Sequence, residues 1–190
     1  MKNITLIIAI AVSTSAFSQV IIGDAVGTAP ANNKTSVLLE FAANQNKGII
    51  LPYVRQKAAT PTEGAIILDA STPTNARVKF YNNNPATTDN WTDLSGQGAN
   101  VTTFLVQQPT IAQAPEAVSE KVIIGATSTS VNDGVLVLES NTKAMLLPIV
   151  SDVNLITSPS PGMMVYISNG FKKRLAVFNG AKWSFWRQAN

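Results

Sequence analysis

Few side chains here can do acid–base or nucleophilic work. The 190 residues include no histidine and no cysteine. That removes His-dependent triads, thiol nucleophiles, and zinc sites built on imidazole or thiolate. Eleven carboxylates remain. A glycosidase needs two of them facing each other across a sugar. Glu40 and Glu139 stand at similar places near the ends of two apolar runs, and a duplicated carboxylate reads as structure. Asp89, Asn90 and Asp93 in TTDNWTD offer oxygen ligands, but without the spacing of an EF-hand loop. A solvated hairpin loop is the expectation there. No G-x-G-x-x-G, P-loop or G-x-S-x-G motif occurs. Without His, a serine hydrolase would need a lysine base, and no Ser–Lys spacing suggests one. The residues therefore point away from an enzyme: no catalytic residues, no cofactor and no metal are expected.

The aromatic residues are the other group with binding chemistry. Trp91, Trp183 and Trp186, with Tyr81, Phe178 and Phe185, have the faces needed to stack on sugars or on single-stranded nucleic acid. Trp183 is expected in the core. Trp186, Trp91 and Tyr81 are the candidate contacts with a ligand or partner. Nucleic acid is a poor fit, because the formal charge is only +3 and the basic residues are scattered outside Lys172-Lys173-Arg174. Backbone binding needs a clustered basic face. Charged residues make up 13% of the chain, against roughly 25% in an average soluble domain. The surface must be built largely from Asn, Gln, Ser and Thr, which suits an extracellular or assembled protein.

The elements that position these residues come in two sets. VIIG occurs at 20–23 and again at 122–125. VLLEF (37–41) is matched by LVLES (136–140). NKGIILPYV (46–54) and TKAMLLPIV (142–150) share four of nine residues. EGAIILD (63–69) is matched by PGMMVYI (161–167). Each set closes on an aromatic strand, VKFYN then Trp91, and AVFNG then Trp183. We read residues 20–94 and 121–190 as two β-rich repeats, and 95–120, rich in Gly, Ala, Gln and Pro, as a linker in which VTTFLV could add a strand. Residues 1–19 read as a signal peptide. Lys2 gives the positive start, Ile4–Val12 is an apolar run too short to span a bilayer, and Ala16-Phe17-Ser18 supplies small residues at a cleavage site. The chain is thus expected to be exported to the periplasm, cell surface or outside, with no membrane span once the signal is cleaved.

The fold class expected is mainly β, built of antiparallel hairpins and meanders with little helix. The apolar runs are short, rich in Val, Ile, Phe and Tyr, and bounded by Gly, Pro, Asn and Thr. The best helical candidate is Val150–Ile156, with Ser151 as N-cap. Asn179-Gly180 predicts a two-residue hairpin turn, pairing Phe178 with Ala181, Ala176 with Trp183 and Arg174 with Phe185. Ala176, Phe178, Trp183 and Phe185 then share one apolar face, with Leu175, Val177, Ser184 and Trp186 on the other. In NKGIILPYV and TKAMLLPIV, Leu51 and Leu147 are expected to be buried at matching positions, and Pro52 and Pro148 to mark strand edges. Each repeat is small and lacks a disulfide, so its own core is marginal. Packing of the repeats on each other or self-association is expected.

The segments LEFAANQNKGIILPYV, LESNTKAMLLPIV and SPGMMVYISNGFKKRLAVFNGAKW resemble a pattern common in secreted Bacteroidetes proteins, and also segments of phage tail-fibre and related trimeric surface proteins. In that pattern NKGxLxP is followed by GxxVY and then YNGxxW. The first copy has FYNNNPATTDNW in place of the YNG turn, and the second has Ala144 in place of the Gly. The resemblance implies a non-enzymatic, exported, β-rich structural or adhesive protein, associated with a fibre or surface assembly through self-association or another surface protein. The alternative is a carbohydrate-binding module that meets glycans through its exposed aromatics.

Overall fold

The computed structural model describes residues 19–109, 112–115, 117, 120–170 and 172–186. The expected signal peptide lies outside the described residues except for Gln19. Short β-branched and aromatic runs form short strands. In the first half these are β1 (Val20–Ile22), β2 (Val37–Phe41), β3 (Ile49–Ile50), β4 (Tyr53–Val54), β5 (Ile66–Asp69), β6 (Arg77–Tyr81) and β7 (Trp91–Asp93). In the second half they are β8 (Val122–Ile124), β9 (Leu136–Leu138), β10 (Ala144–Met145), β11 (Ile149–Val150), β12 (Met163–Asn169), β13 (Lys172–Phe178) and β14 (Trp183–Trp186). The chain is mainly β, as its residues indicate.

The two halves fold alike, strand for strand. In the first, β4 runs parallel to β5, and β5, β6 and β7 form an antiparallel meander. In the second, β11, β12, β13 and β14 repeat that order and those directions. The opening pairs also correspond: β1 lies parallel to β2 with Val20 opposite Leu39, and β8 parallel to β9 with Val122 opposite Leu136. Gly23 and Gly125, which close the two VIIG motifs, take φ of +108° and +103°, a conformation open to glycine and strained for other residues.

The third strand of each half does not stay at home. β10 pairs in parallel with β2 of the first half, Ala144 opposite Val37 and Met145 opposite Leu39. β3 pairs antiparallel with β12 of the second half, Ile50 opposite Met163 and Ile49 opposite Met164. One core follows from this exchange. Leu51, Leu68 and Val78 pack with Met164 and Val177, and Leu147 packs against the same cluster. Leu51 is buried as expected, whereas Leu147 is only half-buried. A second cluster, including Val150, Met163, Val165 and Ala176, lies on the other face of β12–β13 and is covered by Phe178 and Trp183.

Three local expectations are corrected. Val150–Ile156 forms a single 3-10 turn over Val153–Leu155, capped by Asp152 rather than Ser151, with the Asp152 carboxylate accepting from Asn154 N. VTTFLV makes a one-turn helix, α1 (Thr102–Leu105), not a strand. It belongs to the core, with Val101 and Leu105 packed in the first cluster, and Ala99 bridges to Ala76. The last hairpin has a four-residue loop, not two. Phe178 pairs with Trp183, Ala176 with Phe185 and Leu175 with Trp186. Asn179 does not sit inside a type I′ turn but begins the loop. Its side-chain oxygen accepts from Ala181 N and Lys182 N, and its backbone N–H donates to Lys182 O. An Asx side chain that mimics a turn in this way lengthens the loop. The register moves by two residues, so the two faces keep their expected members.

Candidate functional site

Charged residues gather where β4–β7 present their polar ends. Lys57 and Lys79 each reach both Asp69 and Asp89: Lys57 Nζ lies 2.9 Å from Asp69 and 2.8 Å from Asp89, and Lys79 Nζ lies 3.2 Å and 2.7 Å away. Asp69 is buried and also accepts from the Ser71 backbone and hydroxyl. Burial alone would push its pKa up, but these bonds outweigh it and hold the carboxyl at about 2. Asp89 and Asp93 are lowered for the same reason, burial being outweighed by bonds from Lys57 and Lys79 in one case and from Arg77 and Ser95 in the other. The two carboxylates of TTDNWTD are therefore engaged by cations, and the loop is a salt-bridged clamp across β6 and β7.

Glu40 and Glu139 do not occupy equivalent positions. With Val20 and Val122 aligned, Leu39 matches Leu136, so Glu40 matches Val137 and Glu139 matches Ala42. Glu40 is fully buried and accepts from Ala29 N and Gln19 Nε2. Glu139 accepts from the Thr129 hydroxyl. Each carboxylate ties down the loop between the first two strands of its half, which is a structural task.

The three candidate contact residues separate. Trp91 is buried, and its ring lies tilted against Tyr81 with centroids 5.1 Å apart. Tyr81 is half-buried. Trp186 is exposed on its ring, while its indole N–H donates to Leu94 O. Next to it Phe185 is exposed on the opposite face, under the guanidinium of Arg174 at 5.5 Å.

A larger apolar surface was not singled out by residue type. β8 and β9 form a two-stranded sheet with no third strand among the described residues. Val122 and Leu136 on it are exposed, as is Val135 just before β9. Beside β9 opens a cavity of about 470 Å³, walled on one side by Val135–Glu139 and on the other by Gly64–Ile67 of the first half. Thr62 and Asp133 close one end with two hydrogen bonds. The signal that could have found it is the second VLLEF-like run, in which the strand residues Leu136–Leu138 are all apolar and the one charge, Glu139, follows them. Among the described residues no helix is long and apolar enough to cross a membrane.

A family model described as a phage tail like trimerisation region matches residues 124–189. The match runs from β8 through the last hairpin and takes in both the apolar edge of β9 and the exposed aromatics of β14. No curated protein and no solved structure matches the chain.

Proposed function

We propose that this chain is a non-enzymatic structural subunit of an exported, fibre-like or surface assembly, and that it assembles as three copies through its second half. The observation that carries the reading is the similarity of residues 124–189 to a phage tail like trimerisation region. The unpaired apolar edge of β9 supports it, since an exposed edge strand rich in Val and Leu is a template for pairing with another chain. In this reading residues 20–94 and 121–190 are the two repeats, 95–120 connects them, and 1–19 is the signal that exports them. Adhesion would be a property of the assembled surface. Light scattering coupled to size exclusion on the mature chain tests this: a particle of three chains is expected, and a monomer at high concentration overturns it.

The exposed ring of Trp186 keeps a second reading alive, a carbohydrate-binding module. A glycan array decides it. Binding that is lost in Trp186→Ala would favour that module, and a blank array with ordered oligomers would favour the structural subunit.

A further inference from the structure

The exchanged third strands obey a rule that the chain leaves unfinished. The third strand of the second repeat, β10, lies on the second strand of the first repeat, β2. The third strand of the first repeat, β3, lies on the fifth strand of the second repeat, β12. Each third strand therefore has two berths: a second strand of the repeat before it and a fifth strand of the repeat after it. With repeats arranged in a ring of three, one third strand is missing. Its berths are the second strand of the second repeat, β9, and the fifth strand of the first, β5. These two strands are the opposing walls of the apolar cavity.

The register agrees on both walls. Leu39 O accepts from Leu146 N where β10 meets β2, and the residue matching Leu39 is Leu136. On β9, Val135 O and Glu139 N bond toward β8, so alternation along the strand turns the Leu136 backbone to the open edge. On the other wall, Met163 and Met164 receive β3. Aligning Tyr166 with Leu68 through their partners on β11 and β4 makes Ala65 and Ile66 their counterparts, beside the cavity. Burial follows the same division. Leu39, covered by β10, is 0% exposed, and Leu136, facing the cavity, is 44% exposed. Leu51, whose N–H donates to Gly162 O just before β12, is buried, while its twin Leu147 is half-buried.

We propose that the cavity is a berth for a strand of a second copy of this chain, and that its occupant is that copy's Ala144–Met145 strand, exchanged out of its place on its own β2, where Leu146 N otherwise donates to Leu39 O. Met145 would lie opposite Leu136 and Ala144 opposite Gly134, the register that β10 keeps on β2. The choice of β10 over β3 rests on the matched region: residues 124–189, similar to a trimerisation region, hold both β9 and the Ala144–Met145 strand, whereas Ile49–Ile50 lies outside them. This inference rests on the three-copy reading above and specifies which strand edges make the contact.

The absence of native cysteine makes the test clean. Chains carrying Leu136→Cys alone and chains carrying Met145→Cys alone are co-expressed and oxidised. A disulfide-linked dimer is expected from the mixture, and none when Val122→Cys on β8 replaces Leu136→Cys. A second variant, Leu136→Pro, removes an N–H that alternation along β9 turns to the open edge. It is expected to keep its β circular dichroism and to weaken assembly at least tenfold. If the wild-type chain is a monomer, both the three-copy reading and the berth fail. If it assembles but the Leu136–Met145 mixture gives no disulfide, the berth fails while three-copy assembly stands. Should Leu136→Pro not fold, the disulfide result alone decides.

Discussion

Replacing Asp69 with Asn removes one negative charge from the centre of the Lys57–Asp69–Lys79–Asp89 network without changing its shape. The size of the effect follows from linkage. The carboxyl falls from 3.8 to about 2 on folding, which corresponds to at most ~2.5 kcal/mol at 1.36 kcal/mol per tenfold change. The two lysines keep part of their hydration, so about 1–2 kcal/mol is the realistic share. The sign is set by the lowered value: the stabilisation is present above pH ~4, where an unfolded Asp is ionised, and is lost as pH falls through ~2. Urea unfolding followed by tryptophan fluorescence, at one protein concentration so that self-association cancels, measures it. Asp69→Asn should be about 1–2 kcal/mol less stable than wild type at pH 7, and the gap should close by pH 2. A gap that stays constant from pH 7 to pH 2 would refute the reasoning, because the loss would then come from altered packing or hydrogen bonding rather than from the charge.

Two further outcomes are expected. Asn179→Ala leaves the N–H groups of Ala181 and Lys182 and the Gln97 carbonyl without their partner, in a residue that is fully buried. A loss of about 2–3 kcal/mol is expected, read as a lower urea midpoint. A cost near zero would mean that water replaces all three bonds. Gly125→Ala places a Cβ 2.2 Å from Glu139 O, whereas Gly64→Ala, also at positive φ, meets nothing within 4 Å. Gly64→Ala should therefore cost about 1–2 kcal/mol from backbone strain alone, and thermal melts should show Gly125→Ala clearly below it.

Repetition made the two-fold plan of strands readable, because VIIG, VLLEF and the Pro-centred motifs recur in order and each recurrence is a local apolar run. The faces of the last hairpin were readable too, since alternation fixes them whatever the loop length. Its register was not. Asn-Gly is compatible with two loop lengths, and the choice was made by the burial of Asn179 and its bond to Gln97, a residue far off in sequence. The matching of Glu40 to Glu139 failed for a related reason: both are carboxylates near strand ends, and only the ladder with β1 and β8 shows that they are two positions apart.

What lay furthest from the sequence was the fate of the third strands. A two-residue strand carries too few side chains to announce its partner, and β3 and β10 each found theirs in the other repeat. Motif identity was misleading here, because it predicts the same surroundings for both copies. Leu51 and Leu147 share a motif and a core, yet Leu51 is buried and Leu147 half-buried. Leu39 and Leu136 share a register and differ more widely. These differences do not arise from the residues themselves, which are identical in each pair. They arise from which neighbour has arrived: β10 covers Leu39, β12 receives the segment carrying Leu51, and neither Leu136 nor Leu147 has the corresponding strand beside it. Two equivalent leucines, each less buried than its twin and both lining or adjoining one core, are the mark of an arrangement that two repeats begin and a third would complete.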